Sequence, residues 1–216
     1  MTATDPHRGQ PIEAAGPAPP DARLTVILIH GRGGSADDML GLADELGLDD
    51  VAFLAPQAAA RSWYPYSFLS PITRNEPGIT SGLAVLAHLI AGLESQGIPA
   101  ARIALLGFSQ GACLSLEFAA RTPRRYAAIV GLSGGLIGPA GTPRNYPGSM
   151  QETPVFLGCS DVDSHIPVDR VSESAAVFRA LGAEVDERIY RGMGHTVNAD
   201  EIAAVRGLLG GCGAQP

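Results

Sequence analysis

Short, mostly apolar runs alternate with segments of helical periodicity along most of the chain, and this alternation restricts the fold more than any other feature. Such runs suit strands that are buried on both faces of a parallel sheet. Intervening helices supply the crossover connections that parallel strands need. The sequence therefore predicts an α/β fold, with a mainly parallel central sheet flanked by helices. The predicted strands are Leu24–Ile29, Val51–Ala55, Arg102–Gly107, Ala127–Leu132, Val155–Gly158 and Val185–Tyr190, and the predicted helices are Ala36–Leu46, Gly78–Gln96, Gln110–Arg121, Val168–Leu181 and Ala199–Leu209.

Residues 23–216 are expected to form a single domain, because they contain no internal repeat and no linker. The first 22 residues are rich in Pro, Ala and Gly and are expected to be mostly loose, apart from a short strand at 10–15. Two connections, Pro56–Pro77 and Ser133–Thr153, are long and rich in Pro and Gly. Long loops at the carboxyl edge of a parallel sheet usually line a site. Neither is long enough to form a cap domain, so we expect an open site.

The charge composition excludes several function classes. The chain has 216 residues and a net charge of −7, and all 15 of its basic residues are Arg. Without Lys, this sequence offers no Schiff-base lysine, no pyridoxal phosphate anchor and no Walker A lysine. An acidic chain without a basic run also lacks the electrostatic footprint of a nucleic-acid-binding protein. We therefore expect no nucleic-acid partner.

The cysteines and the apolar segments indicate in which cellular compartment the protein is expected. Cys113, Cys159 and Cys212 are widely separated and show no CxxC spacing, which disfavours a disulfide-built secreted fold. The start of the sequence contains no apolar core of signal-peptide length. The longest apolar helical stretch, Leu83–Leu93, is interrupted by His88 and is too short to span a bilayer. The expectation is a cytoplasmic location without membrane insertion.

The pentapeptide Gly107-Phe108-Ser109-Gln110-Gly111 directly follows a predicted strand and directly precedes a predicted helix. This is the G-x-S-x-G pattern in the strand–turn–helix setting of a nucleophile elbow. Glycine is needed at both ends because the turn is strained and the backbones approach closely. Such a turn lifts the Ser109 hydroxyl above the sheet edge. The alternative is a glycine-rich turn with a capping serine, which this setting disfavours.

An elbow serine needs a base, because a free hydroxyl is a weak nucleophile. His195 follows the last predicted strand and would stand at the same sheet edge as Ser109. An acid that orients this histidine is expected after the penultimate strand, where the sequence offers Asp161 and Asp163. The order serine, aspartate, histidine is that of the α/β-hydrolases. Spacing leaves either aspartate able to reach the histidine, although Pro167 favours a fixed turn around Asp163.

Stabilisation of a developing oxyanion needs two backbone N–H donors. Gln110, the residue after the candidate nucleophile, is expected to supply one of them. The second is expected from the loop His30–Gly34, where glycines keep the backbone accessible around the Arg32 N–H. We interpret His30 as a structural hydrogen-bonding residue rather than a second base.

Two competing interpretations involve a cofactor or a metal. Residues 31–36 fit the dinucleotide-binding pattern G-x-G-x-x-A between a strand and a helix. That fingerprint requires an acid at the end of the next strand to hold the ribose, whereas this strand ends in Ala-Pro-Gln. The candidate metal ligands lack H-E-x-x-H and paired-thiolate spacing; they are Cys159, Asp161, Asp163, His165 and His195. We therefore predict no dinucleotide cofactor and no metal.

The chain after about residue 10 closely resembles the phospholipase/carboxylesterase family of serine esterases, and it is similar to the acyl-protein thioesterases and lysophospholipases of that group. The resemblance rests on four motifs in order: LIHGRGGSADDML, APQAAARSWYPYSFLSP, LLGFSQGACLSLEFA, and GCSDVDSHIP followed by YRGMGHTV. It implies an α/β-hydrolase fold and a cofactor-free serine hydrolase acting on carboxylic esters. The SWYPYSF and GLIG segments look more like the small bacterial carboxylesterases than the eukaryotic depalmitoylating enzymes.

Residue by residue, the resemblance implies Ser109 as the nucleophile, His195 as the base and Asp163 as the acid. It implies the backbone N–H groups of Arg32 and Gln110 as oxyanion donors. A loop near the acyl pocket is implied to contribute Trp63, Tyr64 and Tyr66. The expected activity is hydrolysis of short to medium acyl esters through an acyl-serine, with a thioesterase or lysophospholipase as the alternative. A non-catalytic ligand-binding protein on the same scaffold is a remoter alternative, and a homodimer is left open.

Overall fold

A seven-stranded sheet forms the centre of the protein. The structure is a computed structural model, and it describes residues 5–212. The strands are β1 (Ile12–Ala15), β2 (Leu24–Ile29), β3 (Val51–Pro56), β4 (Ile103–Phe108), β5 (Ala128–Leu132), β6 (Pro154–Ser160) and β7 (Glu184–Tyr190), and the helices are α1 (Ala36–Leu46), α2 (Ile72–Asn75), α3 (Gly78–Ser95), α4 (Gln110–Arg121), α5 (Val168–Ala180) and α6 (Ala199–Gly211). The strand order is β1-β3-β2-β4-β5-β6-β7; β1 is antiparallel to β3, and every other neighbouring pair is parallel.

Helices cover both faces of this sheet. On one face, α3, α4 and α5 contribute Leu86, Leu116 and Phe178 to a buried core. On the other face, α1 and α6 contribute Leu46 and Leu209 to a second core. Because both faces are covered, β2 and β5 are buried along their whole length. This burial accounts for their consecutive apolar residues and confirms the predicted mainly parallel sheet.

The predicted elements match the observed ones best where local signals are strong. β2, α1 and α4 have the predicted bounds. α1 begins after a capping box, in which the Asp38 N–H donates to the Ser35 hydroxyl oxygen and the Ser35 N–H donates to the Asp38 carboxylate. β7 is an edge strand with exposed and part-buried residues, which explains its mixed polar and apolar sequence.

The N-terminal segment is more ordered between residues 5 and 22 than its composition indicates; residues 1–4 and 213–216 lie outside the described part of the chain. β1 adds to the sheet edge beside β3. The Ala59 N–H donates to His7 Nδ1 (3.1 Å), so His7 Nε2 carries the proton and donates to the Trp63 carbonyl oxygen (2.9 Å). The His7 N–H donates to Ser81 Oγ (3.0 Å). These partners are at least 52 residues away in the sequence, so composition alone did not reveal them.

Within residues 5–212, one helix is long and apolar enough to cross a membrane by length and composition alone, and that helix is α3. Its buried side chains Ile79, Leu86, Ile90 and Leu93 belong to the core beside the sheet. Packing against the core therefore accounts for the apolar composition of α3.

The two long connections begin at the carboxyl ends of β3 and β5. The first contains a 3-10 turn at Ala59–Arg61 and the four-residue helix α2. The second contains no helix or strand across residues 133–153. Within residues 5–212, the carboxyl edge of the sheet therefore carries loops rather than a cap domain.

Candidate active site

Ser109 occupies the sharp turn between β4 and α4. Its φ of 55° and ψ of −117° lie outside the conformations that a side-chain-bearing residue normally adopts. The turn is held by a hydrogen bond from the Ser109 N–H to the Leu132 carbonyl oxygen (2.9 Å). A β-carbon at Gly107 would overlap the carbonyl of Gly111, and one at Gly111 would overlap the carbonyl of Ile29. Glycine is therefore required at both ends of this turn.

The side chains of Ser109, His195 and Asp163 form one hydrogen-bonded chain. Ser109 Oγ lies 2.8 Å from His195 Nε2, and His195 Nδ1 lies 2.7 Å from Asp163 Oδ2. The three residues follow β4, β7 and β6, respectively. Because parallel strands end at the same edge of a sheet, residues as far as 86 positions apart in the sequence meet here.

The Asp163 carboxylate is held rigidly and kept from water. Its Oδ1 accepts hydrogen bonds from the N–H groups of His165 (2.8 Å) and Ile166 (3.1 Å), and its side chain has no exposed surface. Burial acts to raise the pKa of this carboxyl, but the hydrogen bonds from His195 and the two N–H groups outweigh it, so the pKa lies below its ordinary value. The ionised carboxylate can therefore fix the orientation of the imidazole.

Asp161, the other candidate acid, has a different partner. Its Oδ1 accepts a hydrogen bond from the Gly192 N–H at 2.8 Å, in the loop that carries His195. The Ser160 hydroxyl donates to the Met193 carbonyl oxygen of the same loop. Asp161 therefore connects the backbones of the two loops, while Asp163 contacts the imidazole.

The backbone N–H groups of Arg32 and Gln110 are the two candidate oxyanion donors. Gln110 is the first residue of α4, and Arg32 lies in the loop after β2. Among the described residues, neither N–H donates to a protein acceptor. Both residues line the cavity that contains Ser109. Two such free donors beside a nucleophile are the arrangement that oxyanion stabilisation requires.

A cavity of about 530 Å³ lies beside Ser109. One side is formed by residues 62–68, which we call the wall loop. The lining residues from the wall loop are Tyr64, Pro65, Tyr66, Ser67 and Phe68, and the other lining residues are Arg32, Ser109, Gln110, Cys113, His165, Ile166 and His195. The cavity thus brings the candidate nucleophile, the candidate base and both donors together against an aromatic wall.

Residues 15–210 match the family model described as Phospholipase/Carboxylesterase. The chain belongs to the phospholipase/carboxylesterase family.

Similar proteins match this chain over nearly its whole length. The acyl-protein thioesterase 1 of Yarrowia lipolytica is 29% identical over 212 residues, covering 89% of this chain and 93% of that protein. A crystal structure of a phospholipase/carboxylesterase from Dyadobacter fermentans is 42% identical, with a TM-score of 0.89, covering 93% of this chain and 96% of that one. The crystal structure of esterase PE8 is 25% identical, with a TM-score of 0.76, covering 94% and 98%. The protein is therefore a hydrolase of the esterase and acyl-protein-thioesterase type with the α/β-hydrolase fold, which confirms the resemblance in the sequence.

The three aromatic residues that the family resemblance placed near an acyl pocket divide into two groups. Tyr64 and Tyr66 line the cavity, whereas Trp63 does not. Trp63 is completely buried, and its indole N–H donates to the His30 carbonyl oxygen at 3.0 Å. His30 Nε2 in turn accepts a hydrogen bond from the Ala58 N–H at 3.0 Å, and burial lowers the pKa of this imidazole. The Trp63 side chain is therefore the part of the wall loop that packs into the core, where burial of a large apolar ring is most stabilising.

Two neighbours of His195 were not identified from the sequence. The Phe108 ring packs against the His195 ring with centroids 5.1 Å apart, and the His165 ring packs edge-on at 4.8 Å. Phe108 is the x that precedes the serine in the G-x-S-x-G pattern, and His165 comes two residues after Asp163. Their proximity to these two motifs was the sequence signal that could have identified them. The sequence does not show which ring each of them packs against, because that depends on the tertiary structure.

The structure disfavours Cys113 as an alternative nucleophile and a metal ion as an alternative catalytic group. Cys113 lines the cavity, but burial raises the pKa of its thiol to about 12, so it carries no thiolate at neutral pH. The Gly135 N–H donates to its sulfur at 3.5 Å. In the described part of the chain, no group of three or more His, Cys, Asp or Glu side chains is arranged to hold a metal ion.

Proposed function

We propose that the protein is a serine carboxylesterase that hydrolyses short to medium acyl esters through an acyl-serine intermediate. The observation that carries this proposal is the hydrogen-bonded chain of Ser109, His195 and Asp163 beside a cavity lined by Arg32 and Gln110. A nucleophile bonded to a base, which a third group orients, is the arrangement used in serine hydrolysis. Family membership supports the same class of reaction.

Acylation of the serine is the first proposed step. Ser109 Oγ attacks the acyl carbonyl carbon while His195 Nε2 takes the hydroxyl proton. The negative charge that develops on the carbonyl oxygen is held by the N–H groups of Arg32 and Gln110. Asp163 keeps the proton on His195 Nδ1 and stabilises the imidazolium. The bond from the acyl carbon to the alcohol oxygen then breaks, and the imidazolium gives its Nε2 proton to the leaving alcohol.

Deacylation repeats the sequence with water. His195 Nε2 takes a proton from a water molecule, whose oxygen attacks the acyl carbon of the acyl-serine. The same two N–H groups hold the second oxyanion. The bond to Ser109 Oγ breaks, the imidazolium returns its proton to this oxygen, and the carboxylic acid leaves. This mechanism needs no cofactor.

The proposed acyl length rests on the walls of the site. Tyr64 and Phe68 are buried side chains of the wall loop, and they bound the space beside Ser109. Within residues 5–212, loops rather than a cap domain cover the carboxyl edge of the sheet. A long acyl chain would therefore leave much of its length in water and lose about 0.8 kcal/mol for each methylene not buried.

Thioester hydrolysis is the second candidate. The name of the Yarrowia lipolytica relative, acyl-protein thioesterase 1, favours it. The same nucleophile and base serve both reactions, because the two substrates differ only in the leaving group. Butyryl esters and butyryl thioesters of matched alcohols and thiols separate the candidates. A kcat/KM about tenfold higher for the thioester would favour the thioesterase.

The decisive test is replacement of the candidate nucleophile. Ser109→Ala should abolish both covalent labelling by a fluorophosphonate probe and turnover of p-nitrophenyl esters. Ser172→Ala, on the exposed surface of α5, serves as the matched control and should label and turn over normally. In the unaltered protein, an ester series from acetate to palmitate should give the highest kcat/KM for a short or medium chain. Normal turnover by Ser109→Ala would exclude the proposed mechanism.

A further inference from the structure

Gln110 uses its side chain to hold the wall loop. Gln110 Oε1 accepts a hydrogen bond from the Trp63 N–H at 2.8 Å, and Gln110 Nε2 donates to the Tyr64 carbonyl oxygen at 2.8 Å. Gln110 is only 4% exposed, so water does not compete for these bonds. The two contacts fix the backbone before and after Tyr64 relative to the start of α4.

Arg32 holds the neighbouring part of the wall loop. Its Nη1 donates to Ser62 Oγ (3.1 Å) and to the Pro65 carbonyl oxygen (2.9 Å), and its Nη2 donates to the Tyr66 carbonyl oxygen (2.6 Å). A rigid guanidinium fork can bond several backbone acceptors at once, which a flexible ammonium group does poorly. Arg32 therefore connects the loop after β2 to three residues of the wall loop.

We propose that the side chains of Arg32 and Gln110 are positioning groups that couple the wall loop to the oxyanion donors. This inference rests on the proposed function, in which the backbone N–H groups of the same two residues hold the oxyanion. Each residue then contacts the wall loop through its side chain and the reacting oxygen through its backbone. A displacement of the wall loop is passed to both donors through these hydrogen bonds.

This coupling makes acyl size act on the chemical step as well as on binding. An acyl group too bulky for the space beside Ser109 pushes Tyr64 or Tyr66 outward, and Gln110 or Arg32 follows. Oxyanion donors act at about 2.7–3.1 Å from the charged oxygen. A misplacement of about 1 Å can cost about 100-fold in rate. Esters with long acyl chains should therefore lose kcat, whatever their KM.

Arg32→Met tests the coupling directly. The variant keeps the main-chain N–H of residue 32 but removes the hydrogen bonds to Ser62, Pro65 and Tyr66. The side chain is exposed, so folding should persist, and the melting temperature checks this. We expect kcat for p-nitrophenyl acetate to fall about tenfold, with KM changed less than about twofold. The ratio of kcat for acetate to kcat for octanoate should fall at least about threefold, because wall displacement no longer reaches the donors.

Arg74→Met is the matched control. The Arg74 guanidinium lies over the Tyr66 ring, 4.4 Å from its centroid, yet among the described residues it makes no hydrogen bond to the wall loop. The same substitution at this position should change neither kcat nor the acetate-to-octanoate ratio by more than about twofold. An equal loss in both variants would overturn the coupling, because a general disturbance of the wall would then suffice.

Labelling of Ser109 by short-chain and long-chain fluorophosphonates supplies a readout that does not depend on turnover. We expect Arg32→Met to label about tenfold more slowly with the short probe and to discriminate less between the two probes. Equal rates and equal discrimination in Arg32→Met and the unaltered protein would overturn the coupling while the proposed function stands. A lower melting temperature with an unchanged acetate-to-octanoate ratio would also overturn it, since Arg32 would then act only on stability. No labelling of Ser109 in the unaltered protein would instead overturn the proposed function.

Discussion

Asp163 Oδ2 lies 2.7 Å from His195 Nδ1, although the two residues are 32 positions apart in the sequence. Asp163→Asn would remove the negative charge and favour the wrong histidine tautomer. We expect kcat to fall by a factor of about 10³–10⁴, as when a triad carboxylate becomes an amide. KM should change little, because Asp163 does not line the cavity. Steady-state kinetics on a p-nitrophenyl ester measure both quantities.

The same substitution at Asp161 is the matched control. An asparagine there keeps an oxygen that can accept the Gly192 N–H, which Asp161 bonds at 2.8 Å. We expect a stability loss of about 1 kcal/mol and no large loss of kcat. If Asp161→Asn loses activity steeply while Asp163→Asn stays near the unaltered protein, the acid has been assigned wrongly.

Gly111→Ala tests the close approach behind the elbow. A β-carbon at Gly111 would overlap the backbone carbonyls of Ile29 and His30, so the turn and β2 must move apart. We expect the free energy of unfolding to drop by at least about 2 kcal/mol, with loss of activity because Ser109 shifts relative to His195. Gly92→Ala in α3 is the control, since open space surrounds that position and alanine favours a helix by about 1 kcal/mol. A Gly111→Ala protein as stable and active as the original would contradict the elbow geometry.

The pH dependence of activity should reveal a single essential proton on the acid side. The His195 imidazole accepts the Ser109 proton only when it is uncharged, so a proton already on Nε2 blocks the reaction. Burial opposes ionisation of Asp163, but its hydrogen bonds hold the pKa of this carboxyl below its ordinary value, so it stays ionised near neutral pH. We expect log kcat/KM to fall with a slope near 1 as the pH drops. A slope near 2, or an activity lost in EDTA and restored by zinc, would contradict this mechanism.

Glu201 links pH to stability. Glu201 is fully buried. Its Oε2 accepts a hydrogen bond from the Asn198 N–H at 2.9 Å, and its Oε1 has no hydrogen-bond partner among the described residues. Burial raises the pKa of this carboxyl from 4.5 to about 6, against the lowering effect of the Asn198 hydrogen bond. The folded protein therefore binds this proton more tightly than the unfolded chain. Its contribution to stability is fully present below pH 4.5 and is lost as the pH rises through about 6.

Urea unfolding of the unaltered protein and Glu201→Gln at about pH 4.5 and pH 7 measures this contribution. Glutamine keeps an acceptor for the Asn198 N–H but does not titrate. At each pH we take the free energy of unfolding of the unaltered protein minus that of Glu201→Gln. This difference should be about 2 kcal/mol smaller at pH 7 than at pH 4.5. Glu184→Gln, at an exposed position of β7, should show no such change. An identical difference at both pH values for Glu201→Gln would mean that Glu201 titrates normally.

The sequence alone predicted the sheet and the residues of the candidate site because their signals are local. The apolar runs of β2 and β5 reflect burial on both faces, which each strand records in its own residues. Ser109 was identifiable because glycines, strand and helix adjoin it. His195 and the two candidate aspartates were identifiable because loops that follow parallel strands meet at one edge.

Only the tertiary structure decided which atoms meet. It brings Asp163 rather than Asp161 to His195, buries the Trp63 side chain in the core, and anchors His7 to residues more than 50 positions away. It also reveals that Arg32 contacts the wall loop through its guanidinium. Each of these depends on the direction of a side chain and on the distance between segments remote in sequence. Periodicity and motif spacing record which face a residue belongs to, but they do not record which partner it finds there.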